Sequence, residues 1–143
     1  MMNIEEINKI LPQKPPFMMI DRVLEVDPGK RLVALKNVTI NDQILSVHFH
    51  DRPVMPGSLI IEAMAQAGIL LYYSIGNFQD NNLANYYLGS VKAHFFKPVI
   101  PGDQLKIEAV LTKILSNGMY IEVKAFVDKE KVSESDLVCM IQK

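Results

Sequence analysis

Three residues that could take part in catalysis lie close together in the sequence: His48, Gly57 and Glu62. A histidine can accept a proton near neutral pH. Glu62 is the only acidic residue between Asp51 and Asp80, and a carboxyl group that keeps its proton in apolar surroundings can act as a general acid. The backbone N–H of Gly57 can stabilise charge on a carbonyl oxygen if a helix starts there. Together they suit the removal of a proton beside a carbonyl while a hydroxyl group leaves.

The stretch that begins at Gly57, GSLIIEAMAQAGILLYYSIG over residues 57–76, is apolar around almost its whole circumference. This pattern predicts a long helix that is buried inside the protein. Glu62 and Gln66 lie within the stretch, so we predict no membrane span. Gln66 follows Glu62 by four positions, which puts both side chains on one helical face. We therefore expect Gln66 to orient the carboxyl group by a hydrogen bond.

Two similar phrases raise the question of which histidine is the base: HFHDRPVMPG over residues 48–57 and HFFKPVIPG over residues 94–102. The second phrase leads into an alternating run that is typical of a strand, so we interpret its prolines and glycine as a turn. The first phrase leads into the apolar helix that carries Glu62. We therefore predict that His48, and not His94, is the base.

A metal site is a competing use of these histidines, with His48 and His50 pairing beside Asp51. Only His94 remains as a third imidazole, and too few ligands stand at a recognisable spacing. We predict no metal. The single cysteine, Cys139, cannot form a disulfide within the chain, is interpreted as a small buried hydrophobic residue, and fits a reducing cytoplasm.

The rest of the chain predicts an antiparallel sheet around the apolar helix. Turn residues at Asp27–Lys30 and Asn117–Gly118 indicate hairpins, and apolar residues alternate from Leu105 to Leu111. A short helix is predicted over residues 4–12, and strands over residues 17–27, 30–40, 85–97, 104–115, 119–128 and 131–141. The expected fold is therefore α+β, a hotdog in which a curved antiparallel sheet wraps around a long buried central helix. We expect one domain over residues 1–143.

The amino-acid composition and the N-terminal sequence bear on the partners of the protein and on its location in the cell. Hydrophobic residues make up 49% and charged residues 22% of the chain, which is ordinary for a globular protein. The formal net charge of −1 argues against a nucleic-acid partner, because such proteins normally carry a basic surface. No basic segment leads into an apolar run at the N-terminus, so we expect no secretory signal and a cytoplasmic location.

Three segments carry a resemblance to a known family: LPQKPPFMMIDRVLEVDPGKRLVALKNVTIN, HFHDRPVMPGSLIIEAMAQAG and FFKPVIPGDQLKIEAVL. They resemble the β-hydroxyacyl-acyl-carrier-protein dehydratases of bacterial fatty-acid synthesis, the FabZ type, over nearly the full chain. The resemblance implies a hotdog enzyme that converts a (3R)-3-hydroxyacyl thioester to a trans-2-enoyl thioester and water. It also implies a substrate carried on the phosphopantetheine of acyl carrier protein, and no cofactor.

The same resemblance implies a role for each matching residue. His48 corresponds to the catalytic histidine and Glu62 to the catalytic acid. The backbone N–H of Gly57 matches the group that polarises the thioester carbonyl, and the Val54 carbonyl matches the group that holds the imidazole. Tyr86 matches a tyrosine that gates the acyl tunnel.

The resemblance further implies a homodimer that completes each active site across its two chains, assembled as a trimer of dimers. A glutamate at position 62, where related dehydratase-isomerases carry aspartate, favours dehydration without isomerisation. Val47, His50 and Phe96 depart from the family pattern and leave open a dehydratase of a specialised polyketide or aryl-polyene pathway. The sequence also leaves open a hotdog acyl thioesterase and a non-catalytic acyl-binding protein of the same fold.

Overall fold

The computed structural model describes residues 1–76 and 85–142. Its elements in chain order are α1 (Ile4–Ile10), β1 (Arg22–Asp27), β2 (Arg31–Asn37), the 3-10 helix η1 (Gln43–Ser46), α2 (Gly57–Tyr73), β3 (Asn85–Phe95), β4 (Gln104–Leu115), β5 (Gly118–Val127) and β6 (Glu130–Gln142). Among the described residues, no helix is long and apolar enough to cross a membrane.

The strands pair antiparallel in one sheet with the order β1-β2-β4-β5-β6-β3. The apolar helix α2 packs on this sheet and contacts β2, β3, β4, β5 and β6. Leu105, Ile107 and Ala109, which were predicted to share one face of β4, are all fully buried, because alternate side chains of a strand point to the same side. The curved sheet around a central helix is the α+β hotdog arrangement that the sequence predicted.

The helix α2 is buried along most of its length, as its apolar circumference indicated. Its residues with no exposed surface are Ala63, Met64, Gln66, Ala67, Leu70 and Leu71. Gly68 lets the helix approach the sheet closely, since a Cβ atom at this position would lie 2.4 Å from Ile121 Cδ1 on β5. The central helix is therefore positioned by close packing, and Glu62 is carried on a firmly held element.

Both predicted hairpins are present. Between β1 and β2 the Lys30 N–H donates to the Asp27 carbonyl at 3.0 Å, and Gly29 has a positive φ of 73°, a conformation that glycine adopts without steric cost. Between β4 and β5, Gly118 is the first residue of β5. A Cβ atom there would lie 2.3 Å from the Cys139 carbonyl oxygen of β6, so close approach of the two strands requires glycine.

The first strand was predicted to begin at residue 17, which is wrong: β1 begins at Arg22. The reason is the side chain of Gln66 on α2. It accepts a hydrogen bond from the Met19 N–H at 2.7 Å and donates one to the Phe17 carbonyl at 2.9 Å. These backbone groups are therefore satisfied by a side chain and join no strand ladder.

Several element ends differ from the prediction, and η1 was not predicted. The helix predicted over residues 4–12 ends at Ile10, the helix predicted to reach residue 76 ends at Tyr73, and the strand predicted to reach residue 40 ends at Asn37. After β2 the Val38 N–H donates to the Asp103 carbonyl at 3.0 Å, while the Gly102 N–H donates back to the Val38 carbonyl at 2.9 Å. This exchange fixes the second proline-rich phrase as the predicted turn before β4.

Candidate active site

The Glu62 carboxyl group is oriented by Gln66, one helical turn further along α2. Gln66 Nε2 donates to Glu62 Oε1 at 2.8 Å, so the predicted hydrogen bond is present. The fully buried Gln66 amide also bonds the backbone of the segment before β1 at Phe17 and Met19. Both of its polar atoms are thereby used, and a single side chain links the carboxyl group to the chain segment that covers it.

Glu62 lines a small cavity of about 50 Å³. The other lining residues come from the segment after α1, from α2 and from the strands β3 and β6: Gln13, Ala65, Ile69, Tyr86, Tyr87, Leu88 and Cys139. The cavity is large enough for a hydroxyl group or a water molecule. The structure thus places Tyr86 on the same cavity as Glu62, whose carboxyl group Gln66 holds.

Cys139 and Tyr86, which line this cavity, each have a raised pKa. Burial raises the pKa of the Cys139 thiol to about 12, and the nearby negative charge of Glu62 adds to the effect. Burial also raises the pKa of the Tyr86 phenol, with a further contribution from Tyr72. Both groups are therefore protonated at neutral pH, so neither is a nucleophile or base there.

The imidazole of His48 is held by the loop that leads into α2. Its Nδ1 lies 2.7 Å from the Val54 carbonyl oxygen, and the Val54 N–H donates to the His48 carbonyl at 2.7 Å. A carbonyl oxygen can only accept, so Nδ1 carries the hydrogen of the neutral ring and Nε2 is left able to accept a proton. The ring also stacks on Phe49, with ring centroids 4.2 Å apart.

Gly57 is the first residue of α2, where the backbone N–H groups have no partner within the helix. A Cβ atom at Gly57 would lie 3.0 Å from the ring of Phe95, the last residue of β3. No pattern in the sequence predicted this contact. The only available signal was that Phe95 belongs to the second phrase, which was interpreted as a turn and not as part of the site.

The cavity at Glu62 does not include the other half of the predicted site. His48, Val54 and Gly57 lie at the N-terminal end of α2, whereas the cavity at Glu62 is lined by none of these three residues. Glu62 and His48 are thus each held by a hydrogen bond of their own, to Gln66 and to Val54. Both groups belong to this chain, but a substrate could react with both only if they faced the same cavity.

The other histidines do not join the site. The side chain of His50 is 91% exposed and lies 3.0 Å from Asp51, and His94 is exposed on β3. Across residues 1–76 and 85–142, no group of three histidine, cysteine, aspartate or glutamate side chains is arranged to hold a metal ion. The metal pair of His48 and His50 considered above therefore has no third ligand in the part that the structure describes.

Proteins that are similar in sequence identify the family of this chain. Residues 11–136 match the model of the FabA-like domain, so the chain belongs to that family. It is 45% identical over 142 residues to 3-hydroxyacyl-[acyl-carrier-protein] dehydratase FabZ from Aromatoleum aromaticum, covering 99% of this chain and 98% of the relative. The FabZ from Geotalea uraniireducens is 46% identical over 137 residues, with coverage of 95% and 94%. Within the family the chain is thus a FabZ-type dehydratase, a hydro-lyase.

A solved structure supports the fold independently. The dehydratase heterocomplex ApeI:P from Xenorhabdus doucetiae includes a chain that is similar with a TM-score of 0.80, at 16% identity and with coverage of 96% of this chain and 91% of that chain. At this low identity the likeness is one of fold. It agrees with the hotdog arrangement described above.

Proposed function

We propose that the protein removes water from (3R)-3-hydroxyacyl thioesters carried on acyl carrier protein and releases trans-2-enoyl thioesters. Its FabZ relatives support dehydration in fatty-acid biosynthesis. The observation that carries the proposal is the Glu62 carboxyl group, fixed by Gln66 at 2.8 Å and exposed to a small cavity. The protein acts as one catalytic domain over residues 1–143 in the cytoplasm.

The reaction needs two proton transfers, and the two held groups can supply them. His48 Nε2 removes the proton from the carbon beside the thioester carbonyl, and the electron pair of that C–H bond becomes the new double bond. The bond to the hydroxyl group breaks, Glu62 donates its proton to the departing oxygen, and water leaves. Proton exchange with solvent then restores both groups. The mechanism uses no cofactor.

Two further residues act on the substrate. Negative charge builds up on the thioester oxygen as the proton leaves, and the Gly57 N–H at the start of α2 stabilises it. Tyr86 lines the cavity of Glu62 from β3, and there it gates the acyl chain. The Val54 carbonyl keeps His48 in the tautomer that accepts the proton at Nε2.

We propose that a second copy of the chain completes each site. Two observations support this assembly: the cavity at Glu62 is lined by neither His48 nor Gly57, and β3 is an edge strand that exposes Tyr87 and Val91. In a two-fold dimer, His48 of one subunit faces Glu62 of the other. Three such dimers form the hexamer.

A single assay separates dehydration from thioester hydrolysis and from binding without catalysis. The pure protein is incubated with a crotonyl thioester, and the enoyl absorbance and the free thiol are followed together. We expect loss of absorbance without thiol release, because the reverse reaction adds water across the double bond. Release of thiol would identify a thioesterase, and no change in either signal would indicate a non-catalytic acyl-binding protein.

A further inference from the structure

The side chain of Gln13 presents a buried oxygen that has no hydrogen-bond partner among the described residues. Such an oxygen is unusual, because a buried acceptor loses its bonds to water and gains nothing in return. Gln13 lines the cavity that also contains the Glu62 carboxyl group. A buried acceptor that lines a site is free to bond a donor that arrives from outside the chain.

Gln13 is held in place by its neighbours in the segment between α1 and β1. The adjacent Lys14 Nζ donates to the Leu11 carbonyl at 2.9 Å, at the C-terminal end of α1. Further along, Gln66 bonds Phe17 and Met19 and ties the same segment to α2. The segment is therefore anchored on both sides of Gln13.

The hydrogen bonds at Glu62 define what the incoming donor must be. Gln66 Nε2 donates to Glu62 Oε1, so a carboxyl group that acts as the proposed acid would carry its proton on Oε2, the oxygen left for the leaving hydroxyl group. That hydroxyl group accepts the proton through a lone pair and still has one hydrogen of its own to donate. The Gln13 amide oxygen is the acceptor in the same cavity that lacks a donor.

We propose that Gln13 Oε1 accepts the hydrogen of the substrate 3-hydroxyl group and thereby turns its lone pair toward Glu62. This role rests on the proposed dehydration. When the C–O bond breaks and Glu62 gives up its proton, the water formed donates one hydrogen to Gln13 Oε1 and the other to the Glu62 carboxylate. Gln13 thus selects for a 3-hydroxyl group and makes no difference to acyl thioesters that lack one.

The test replaces Gln13 by methionine, which keeps the length of the side chain and removes both polar atoms. With wild type and Gln13→Met, kcat/KM is measured for a 3-hydroxybutyryl thioester, and the inhibition constant is measured for the saturated butyryl thioester. We expect kcat/KM to fall about tenfold or more. The inhibition constant of the butyryl thioester stays within about twofold, because that ligand offers no hydroxyl hydrogen.

A second readout distinguishes this role from a structural one. Removing an unpartnered buried oxygen should raise the melting midpoint of the free enzyme, by about 2–4 °C. Gln13→Leu should behave in the same way, and the matched control Gln142→Met, at an exposed position on β6, should change neither activity nor midpoint.

Three kinds of result would contradict the role of Gln13 or the proposed function. An active wild type with an unchanged Gln13→Met variant refutes the role of Gln13 and leaves the dehydratase function intact. Equal losses for the hydroxylated and the saturated ligand, a lowered midpoint, or failure of both Gln13 variants to fold would assign Gln13 a structural role. A wild type that neither dehydrates nor hydrates refutes the proposed function itself.

Discussion

At the scale of single residues, His48 and Glu62 are each held by one hydrogen-bond partner. The Val54 carbonyl holds Nδ1 of His48, so that Nε2 is the nitrogen able to accept a proton, and Gln66 holds Oε1 of Glu62. The partners differ in kind, a backbone carbonyl in one case and a buried amide in the other. Both restrict the orientation of the group that they hold, and the Val54 carbonyl also determines which ring nitrogen of His48 carries hydrogen.

The first prediction concerns these two reactive groups. His48→Ala and Glu62→Gln should each lower kcat about 10²- to 10⁴-fold, the usual contribution of a general base or acid. Circular dichroism and melting midpoints should show that both variants fold. His94→Ala is the matched control, because His94 starts the second phrase and is exposed on β3. If His94→Ala abolished turnover and His48→Ala did not, the base would be assigned to the wrong phrase.

The second prediction concerns Cys139, which is 3% exposed beside Glu62. Its pKa of about 12 in the folded protein lies above the ordinary value of 9.0. The neutral thiol therefore contributes stability that is fully present below pH 9.0 and is lost as the pH rises towards about 12. Urea titrations should show wild type losing more stability than Cys139→Ala between pH 8 and pH 11.

Alkylation provides the control for that prediction. Iodoacetamide at pH 8 should modify Cys139 slowly in the folded protein and rapidly in urea, because only the exposed thiolate reacts. Rapid alkylation without denaturant, or parallel loss of stability with pH in wild type and Cys139→Ala, would contradict the raised pKa.

At the scale of elements, the position of α2 on the sheet decides where the Glu62 cavity lies. The helix carries Glu62 and Gln66 on one face and contacts most of the sheet with the others. Gly68 fits against Ile121 of β5 more closely than any side chain would allow. The close approach of the helix to β5 at this point therefore requires a residue without a Cβ atom.

The third prediction tests that contact with a double-mutant cycle. Gly68→Ala gains about 1 kcal/mol of helix propensity, but its Cβ would lie 2.4 Å from Ile121 Cδ1. Overpacking a buried position costs about 1–3 kcal/mol, so we expect Gly68→Ala to lower the free energy of unfolding. Ile121→Val removes the Cδ1 atom, and in that background Gly68→Ala should instead raise it. Additive effects of the two substitutions in urea unfolding would contradict the close packing.

The sequence predicted the elements well wherever a periodic pattern reports burial. The alternation from Leu105 to Leu111 predicted β4 with its observed bounds, and the apolar run after Gly57 predicted α2. The segment before β1 was wrong, because its apolar residues looked like a strand while its backbone groups bond Gln66. A side chain distant in sequence decided that outcome, and no local pattern reports it.

The sequence predicted part of the candidate site, namely two of its hydrogen bonds. The Glu62–Gln66 bond follows from a spacing of four on a helix, and the His48–Val54 bond was implied by the family resemblance. The contacts of Gln13 with the Glu62 cavity and of Phe95 with Gly57 are tertiary, so the sequence alone did not indicate them.

At the scale of the whole molecule, we propose that each active site needs two chains. A single chain carries the proposed base, His48, in the loop before α2 and the proposed acid, Glu62, on that helix, but His48 does not line the cavity at Glu62. The edge strand β3 next to that cavity exposes Tyr87 and Val91 and has no neighbouring strand on its outer side in the described sheet. Such an edge is typically paired or covered.

The most direct test mixes two nearly inactive variants. Chains with His48→Ala and chains with Glu62→Gln are co-refolded at equal amounts, and subunit exchange is verified by native mass spectrometry. Half of the randomly formed dimers are heterodimers, each with one intact site out of two. The mixture should therefore recover about one quarter of the wild-type rate with the crotonyl thioester. Activity no higher than that of the two parents, with exchange verified, would contradict a site shared between chains.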